Sequence, residues 1–261
     1  MLFSSIVYGP IRSRRLGVSL GVNLMPTDAK LCSFDCVYCE CGWNQPVNHP
    51  QLPTREQVRE ALLSYLSTLD DASALSTNSL TPDVITFSGN GEPTLHPDFL
   101  GIIQDTCALR DTYCPNAKVS VLSNSTQLMR EDVVEGLRLC DNRILKLDSA
   151  ITSTMRLIDK PVNPQLSVEQ IMERLSLFEG DFTLQTCFLK GDYHGQIIDN
   201  TTSEELDAWY KAVDTLHPKQ VMIYVIDRET PLKTLSKISA DKMQAIAQPL
   251  RDKGIDVIVS V

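Results

Sequence analysis

Three cysteines lie within one short stretch of the sequence, at Cys32, Cys36 and Cys39. The spacing C-x3-C-x2-C supplies three thiolates to a cubane iron–sulfur cluster and leaves one iron without a protein ligand. An electron-transfer ferredoxin closes all four positions with cysteine, whereas an open iron can hold a substrate or cofactor. Tyr38, directly before the third cysteine, offers an aromatic ring to a planar ligand at that iron. The spacing therefore predicts a [4Fe-4S] cluster with one open position.

Two other kinds of cysteine site fit the sequence less well. A zinc site prefers C-x2-C pairs, and no second cysteine pair or Cys–His partner follows at a suitable distance. A disulfide framework is typical of small secreted chains, and this chain has 261 residues. Cys41 is either a fourth ligand or a free thiol beside the site. The gap of one residue after Cys39 favours the free thiol.

The composition, with 43% apolar and 22% charged residues, predicts a globular chain with one sizeable core. No apolar run is long enough to cross a bilayer and no secretory h-region is visible, so we expect a cytoplasmic protein without a membrane partner. Eight cysteines also fit a reducing compartment. The net charge of -9 argues against broad, sequence-independent nucleic-acid binding. The local exception is the basic run Arg12, Arg14 and Arg15. It would form either a solvated basic turn or a site that binds an anion.

Strand and helix patterns alternate along the chain, which is typical of a parallel sheet covered by helices. Strands are predicted at residues 16–24, 83–88, 118–122, 143–148, 182–189, 220–226 and 256–261. Helices are predicted at residues 55–68, 98–109, 130–139, 167–178, 203–216 and 240–253, and a Ser/Thr-rich loop at 70–82. Six βα units and a final strand predict an α/β fold, a partial TIM-like (βα)6 barrel with parallel strands, open on one side. We expect one domain over residues 1–261.

Chemistry in such barrels gathers at the C-terminal ends of the strands, so polar residues at those ends are the candidate site residues. After the cysteines and Tyr38, they are Gly89, Asn90, Gly91, Glu92 and Pro93 (the GNGEP segment), Ser123, Asn124, Lys146, Asp148 and Gln185. The glycines allow a ligand to approach the backbone closely, and a plain strand-to-helix turn is the alternative. Ser123 and Asn124 contact a cofactor or cap a turn.

Lys146 and Asp148 are two residues apart on a predicted strand and therefore share one face. A buried ammonium must be paired, and Asp148 is the nearest partner in the sequence. The two residues are the predicted catalytic pair. Lys146 would bind the cofactor carboxylate or a substrate anion, and a purely structural ion pair is the alternative.

Two motifs resemble those of the radical S-adenosylmethionine (radical SAM) superfamily. The first is the cysteine triplet with its aromatic residue. The second is FSGNGEPTLHP at 87–97, which is similar to the superfamily's Gly-Gly-Glu-Pro segment with Asn90 in place of the first glycine. The segments GPIRSRRLGVSLGVNLMP and IYVIDRETP resemble the subgroup of the wyosine tRNA synthases.

The resemblance implies a [4Fe-4S] cluster and S-adenosyl-L-methionine as cofactors. It places the GNGEP segment near the methionine amine, and Ser123 and Asn124 near the carboxylate or ribose. Gln185 is assigned to the cofactor site by its position alone. The implied activity is reductive cleavage of the cofactor to a 5′-deoxyadenosyl radical, which acts on an unidentified substrate, with an RNA nucleoside as one option.

The expected partners are a low-potential electron donor of the flavodoxin or ferredoxin type and a substrate, for which tRNA and a protein are both options. Wyosine synthases resemble two-cluster enzymes, but no cysteine precedes Cys32, which indicates a compact relative with its own substrate. A glycyl-radical-enzyme activase is one alternative. A non-catalytic iron–sulfur carrier or redox sensor is another, although a carrier does not need the GNGEP segment.

Overall fold

The computed structural model of the chain describes residues 2–13, 15–46, 48–69 and 81–261. The strands are β1 (Val7–Ser13), β2 (Gly17–Val22), β3 (Val84–Phe87), β4 (Lys118–Ser123), β5 (Asn142–Lys146), β6 (Thr183–Tyr193), β7 (Gln196–Asp199), β8 (Gln220–Val225), β9 (Ser236–Lys237) and β10 (Asp256–Ser260). The helices are α1 (Arg55–Leu66), α2 (Phe99–Tyr113), α3 (Glu131–Leu139), α4 (Thr152–Asp159), α5 (Val168–Ser176), α6 (Ser203–Leu216) and α7 (Ala240–Asp252).

The main sheet has the strand order β1-β2-β3-β4-β5-β6-β8-β10. The registers are parallel between β2 and β3, β3 and β4, β5 and β6, β6 and β8, and β8 and β10, whereas β1 runs antiparallel to β2. Strands β2, β3, β4 and β5 are each followed by a helix, β6 and β8 reach their helices α6 and α7 through the short strands β7 and β9, and β10 is the last strand. This order confirms the predicted fold class, a partial TIM-like (βα)6 barrel of parallel strands that is open on one side.

Contacts divide the chain into two compact units. The first comprises Met1–Cys32, Asn44–Ser123 and Gln127–Arg143, and the second comprises Ser33–Trp43, Asn124–Thr126 and Ile144–Val261. Each unit has buried apolar residues on both strands and helices, such as Ile85 and Ile102 in the first unit and Leu184 and Ile246 in the second. The single-domain assignment stays a prediction.

Local signals explain where several helices begin. The Thr54 side chain accepts a hydrogen bond from the Gln57 N–H, and the Gln57 side chain accepts one from the Thr54 N–H, so the two residues form a capping box before α1. Ser167 and Gln170 form the same arrangement before α5. Among the described residues, no helix has the length and apolar character needed to span a membrane.

Four elements were not expected from the sequence: β1, α4, β7 and β9. The sequence of β1 contains Gly9-Pro10, and its pairing with β2 shifts register between Tyr8 and Ile11. Proline and register breaks are typical of edge strands. Because both interrupt the alternating sequence pattern, the pattern did not predict β1. Helix α4 has eight residues and no side-chain cap at Ile151. Strands β7 and β9 have four and two residues, too few to show a period.

Arg12 lies away from the candidate site residues of the first unit. Arg12 pairs in register with Val18, near the amino end of β2. The GNGEP segment follows β3, whose last residue, Phe87, pairs with Val22 at the opposite end of β2. An anion-binding site at Arg12 would therefore lie at the other end of β2 from the GNGEP segment. Arg14 and residues 70–80 of the Ser/Thr-rich loop lie outside the described residues.

Candidate functional site

The cluster loop, residues 33–43 of the second unit, follows Cys32 and carries Cys36, Tyr38 and Cys39. Its backbone is held by the last turn of α4. The N–H of Asp35 donates to the Asp159 carbonyl at 2.9 Å, and the N–H of Val37 donates to the Ile158 carbonyl at 2.9 Å. The C-terminal carbonyls of a helix have no partners within the helix. The cluster loop supplies those partners, so helix and loop stabilise each other.

Lys146 lies at the centre of a buried charged group in the second unit. Its Nζ is 2.5 Å from Asp159 Oδ1, 3.1 Å from Asp148 Oδ2 and 3.0 Å from the sulfur of Cys36. Lys146 and Asp148 share a face and form the expected ion pair, and a second carboxylate lies closer to the ammonium. Helix α4, which the sequence analysis missed, brings Asp159 closer.

The ionisation of this group follows from its charges. Burial lowers the pKa of Lys146, but Asp148 and Asp159 outweigh burial and hold that pKa well above its ordinary value. Burial raises the pKa of Asp159 to about 7, against the attraction of Lys146 and with a contribution from the neighbouring Asp148. The two carboxylates lie beside one ammonium, so Lys146 keeps its proton.

Tyr38 is anchored by its hydroxyl group. The hydroxyl donates to Asp148 Oδ2 at 2.5 Å, and the Tyr224 hydroxyl donates to Tyr38 at 3.4 Å. Burial raises the pKa of Tyr38 well above its ordinary value, and the charge of Asp148 adds to the effect. The ammonium of Lys146 lies 4.9 Å from the centre of the Tyr38 ring. These contacts set the orientation of the ring beside Cys39.

Asn124, the residue after β4 in the sequence, contacts the cluster loop within the second unit. Its Nδ2 donates to the Ser33 hydroxyl at 2.9 Å, and its Oδ1 accepts from the N–H of Thr126 at 3.1 Å. The turn cap that was the alternative role is therefore present, together with a contact to the loop. Gln185 is buried on β6, in register with Lys146 of β5 and with Met222 of β8. Its Nε2 lies 3.7 Å from the Met222 sulfur.

The GNGEP segment of the first unit pairs with the residue before Cys32. Leu31 and Gly91 form a parallel bridge, in which Leu31 N–H donates to the Asn90 carbonyl at 2.9 Å and Glu92 N–H donates to the Leu31 carbonyl at 3.2 Å. A Cβ on Gly91 would lie 1.7 Å from the Leu31 carbonyl oxygen. Glycine is thus required at 91 by the chain itself, whatever ligand binds there.

Asn90 is fully buried and its side chain is bonded to the protein. Its Oδ1 accepts from the N–H of Phe3 at 2.8 Å, and its Nδ2 donates to the carbonyls of Phe3 and Pro26 at 2.8 and 2.7 Å. Both amide donors of the side chain are therefore used. The superfamily segment has a glycine at this position, whereas here the Asn90 side chain bonds Phe3 to the GNGEP segment. Any contact between residue 90 and a cofactor would therefore involve the backbone of Asn90.

Glu92 joins the GNGEP segment to the end of β4. Its Oε1 accepts hydrogen bonds from the Ser123 hydroxyl at 2.8 Å, from the Thr94 N–H at 3.2 Å and from the Thr94 hydroxyl. It caps the short 3-10 helix Pro93–Leu95, in which Pro93 takes the first position. The carboxylate of Glu92 is only 3% exposed, and these donors fix its position.

Three contacts of the site had no counterpart in the sequence analysis: Asp159 with Lys146, Tyr224 with Tyr38, and Ser33 with Asn124. Asp159 precedes Lys160-Pro161, and a proline directly after a basic residue marks helix ends. That signal could have located the end of α4. It could not have identified Lys146 as the partner of Asp159.

The cysteines retain the chemistry that a cluster requires. None of the eight cysteines forms a disulfide bond, and Cys32, Cys36, Cys39 and Cys41 are partly exposed. Within the described part of the chain, no three His, Cys, Asp or Glu side chains converge to hold a single metal ion. A cubane binds each thiolate through a different iron, so its ligands need not converge on one point.

No protein-family profile matches the chain over any part of its length. A UPF0026 protein of Helicobacter pylori strain J99 is 30% identical over 244 residues, which cover 91% of this chain and 71% of that protein. A UPF0026 protein of Synechocystis is 30% identical over 236 residues, or 87% and 77% of the two chains. The chain belongs to the UPF0026 family.

One further relative of this UPF0026 chain, from Brachyspira hyodysenteriae, is named GTPase Obg. It is 28% identical over 245 residues, which cover 91% of this chain but 32% of that protein. The chain therefore spans about a third of that relative's length. It contains no G-x4-G-K-S/T sequence, the phosphate-binding loop typical of such GTPases. The likeness carries no nucleotide site to this chain.

Solved radical SAM enzymes share the fold of this UPF0026 protein. The structure of TYW1, a wyosine synthase, with a lysine-pyruvate adduct bound has a TM-score of 0.62 and 17% identity, and the match covers 90% of this chain and 73% of that one. SuiB of Streptococcus suis bound to S-adenosylmethionine has a TM-score of 0.61 and 12% identity, over 92% of this chain and 50% of that one. The resemblance to radical SAM enzymes is confirmed for the fold.

Proposed function

We propose that this UPF0026 protein is a radical SAM enzyme. In this proposal Cys32, Cys36 and Cys39 hold a [4Fe-4S] cluster, and S-adenosyl-L-methionine binds at its open iron. The observation that carries the proposal is a C-x3-C-x2-C sequence in the loop after the first parallel strand of a radical SAM fold. Loops at the C-terminal ends of barrel strands are where such folds bind their ligands.

The residues around Cys36 fit a cluster ligand. The Lys146 ammonium is 3.0 Å from the Cys36 sulfur. A nearby cation favours the thiolate form, which is the form that binds metal. The backbone contacts with α4 hold the loop on both sides of Cys36, at Asp35 and Val37. The cysteine can therefore present its sulfur from a supported loop.

When bound, the cluster would supply the one electron that cleaves the C5′–S bond of S-adenosyl-L-methionine, to give methionine and a 5′-deoxyadenosyl radical that would act on the substrate. The residues of this chain bind and orient the reactants. Glu92 offers a fixed carboxylate for the methionine ammonium, beside the backbone of Gly89 and Gly91. Tyr38 presents its ring in the orientation that Asp148 sets.

Lys146 acts in this proposal as a fixed cation. An adduct of the kind seen in TYW1 requires a neutral lysine amine as nucleophile. The two carboxylates beside Lys146 raise its pKa and oppose that form. We therefore assign Lys146 and Asp148 to charge and orientation in the site, including contact with the cofactor carboxylate, and not to covalent catalysis.

The proposal includes a low-potential electron donor of the flavodoxin or ferredoxin type, a cytoplasmic location and a single radical SAM domain over residues 1–261. The substrate options are an RNA nucleoside and a protein. Low identity to the solved enzymes leaves the substrate open, because barrel mouths are rebuilt by loops.

The proposal is tested by anaerobic reconstitution with iron and sulfide, followed by S-adenosyl-L-methionine and dithionite. The expected product is 5′-deoxyadenosine. Bound zinc, or a cluster that does not cleave the cofactor, contradicts the proposal, and the second result would indicate an iron–sulfur carrier or redox sensor. A glycyl radical signal on a protein partner, measured by electron paramagnetic resonance, would identify an activase. Comparison of tRNA nucleosides and metabolites between deletion and wild-type cells then searches for the substrate.

We expect Glu92→Gln to weaken binding of S-adenosyl-L-methionine about 10- to 100-fold, because hydrogen bonds to charged groups contribute about 1.5–3 kcal/mol. Glutamine keeps an oxygen that can accept from Ser123 and Thr94, so the segment should stay folded and the cluster should remain. The affinity is measured by equilibrium dialysis of the reconstituted protein. Glu229→Gln, at an exposed glutamate, is the control. Equal affinity in the Glu92 variant and the control would remove Glu92 from the cofactor site.

A further inference from the structure

The last residue of α4, Asp159, contacts the cluster loop in two ways. Its backbone carbonyl accepts from Asp35, the residue before Cys36. Its side chain holds the Lys146 ammonium, which in turn reaches the Cys36 sulfur at 3.0 Å. Asp159 is 1% exposed and Lys146 is 9% exposed. A carboxylate on a helix is thus connected to a predicted cluster ligand through one buried cation.

Pairing alone does not explain the second carboxylate. Asp148 is already beside the ammonium, and it is itself held by the Tyr38 hydroxyl and by the N–H of Cys187 at 2.8 Å. One ammonium needs one carboxylate for neutrality. Asp159 adds negative charge in a buried place next to a cluster ligand, where such charge is costly unless it serves a purpose.

The purpose that this position fits is control of reduction potential. The potential of an iron–sulfur cluster depends on the net charge around it and on hydrogen bonds to its sulfur atoms. A donor to a ligand sulfur stabilises the reduced cluster, because reduction adds negative charge. A buried carboxylate opposes reduction, and its effect is larger at low dielectric constant than in water.

We infer that Lys146 and Asp159 are positioning residues with opposite effects on the potential of the cluster. Lys146 raises the potential by donating to the Cys36 sulfur, and Asp159 lowers it by its charge and by its hold on the ammonium. This inference depends on the proposed function, since it requires the cluster. It adds a residue from α4 to a site otherwise built from strand ends and the cluster loop.

The test is a redox titration of the reconstituted cluster without S-adenosyl-L-methionine, followed by electron paramagnetic resonance. Asp159→Asn leaves Lys146 paired with Asp148 and should favour the reduced cluster about tenfold, which is about 59 mV for one electron. The double variant Lys146→Met with Asp159→Asn removes the sulfur donor. It should favour the oxidised cluster at least about tenfold relative to Asp159→Asn alone.

A merely structural role predicts a different result. If the substitutions only loosened the cluster loop, they would change the amount of bound cluster. The potential would then move in the same direction at each step, from the wild type to Asp159→Asn and from Asp159→Asn to the double variant. If the double variant fails to hold a cluster, Lys146→Gln with Asp159→Asn takes its place, and it should still favour the oxidised cluster relative to Asp159→Asn alone, because the cation beside the Cys36 sulfur is lost. The control is Lys253→Met with Asp214→Asn, an exposed ion pair of the same unit, which should leave the potential unchanged.

The outcomes separate this inference from the proposed function. A wild-type protein that binds no [4Fe-4S] cluster overturns both. A wild-type protein that binds the cluster and cleaves the cofactor overturns the inference alone if Asp159→Asn does not raise the potential above that of the wild type, or if the double variant does not lower it below that of Asp159→Asn. A higher potential in Asp159→Asn than in the wild type, together with a lower potential in the double variant than in Asp159→Asn, supports the inference.

Discussion

Alanine at Cys32, Cys36 or Cys39 is expected to abolish the cluster, whereas alanine at Cys41 leaves it in place. Each replacement removes one of three thiolates and leaves a second iron without a protein ligand. Each of the three variants should lose more than about 100-fold in the rate of cofactor cleavage. Residues that contact a metal ligand without binding the metal typically cost about 10- to 100-fold when replaced. Iron and sulfide content, visible absorbance and 5′-deoxyadenosine yield measure the effect.

Cys41→Ala is the matched control for this series, because Cys41 is a partly exposed cysteine of the same loop. Its variant should bind as much iron as the wild type and cleave the cofactor at the same rate. If Cys41→Ala loses the cluster as the other three do, then all four cysteines are ligands. The open iron, and with it the proposed binding of S-adenosyl-L-methionine, would then be wrong.

Gly91→Ala is expected to destabilise the protein by about 3–4 kcal/mol and to reduce the fraction of chains that hold the cluster. The added Cβ would lie 1.7 Å from the Leu31 carbonyl oxygen, so the backbone bridge must open. Two backbone hydrogen bonds contribute about 1 kcal/mol each, and a positive φ costs a residue with a Cβ about 1–2 kcal/mol more. Leu31 precedes Cys32, and its displacement would move that ligand.

Gly195→Ala separates the two causes. Gly195 also has a positive φ, of 82°, but no atom lies within 4 Å of its added Cβ. That variant should lose only about 1–2 kcal/mol, from backbone strain alone. The free energy of unfolding of the apoprotein in urea gives the comparison. Equal losses in the two variants would show that the Leu31–Gly91 bridge contributes little.

The sequence predicted most of the fold because its signals are local. Thr54 with Gln57 and the alternation of strand and helix patterns need only neighbouring residues to be read. The fold class and six βα units followed from them. The sequence did not predict β1 or α4, because Gly9-Pro10 interrupts the first and the second has no side-chain cap at Ile151.

The sequence analysis named the residues of the candidate site and the Lys146–Asp148 ion pair, but it did not predict most of the other contacts among these residues. The cysteine spacing and the GNGEP segment name the residues, and the comparisons confirm the fold that carries them. The structure shows what the sequence could not: Lys146 contacts Asp159 and Cys36, and Asn90 holds Phe3. Their roles at a cluster or cofactor stay predictions until the experiments above are done.

The amino-acid order alone determined which atoms are available for chemistry: three closely spaced thiols, two glycines and a glutamate. Only the tertiary structure decided what each of them contacts. The Asn90–Phe3 bond joins residues 87 positions apart, and the Lys146–Cys36 contact joins residues 110 apart. Spacing in a sequence reports contacts within one turn or one strand, whereas contacts over such separations exist only after strands and helices have packed.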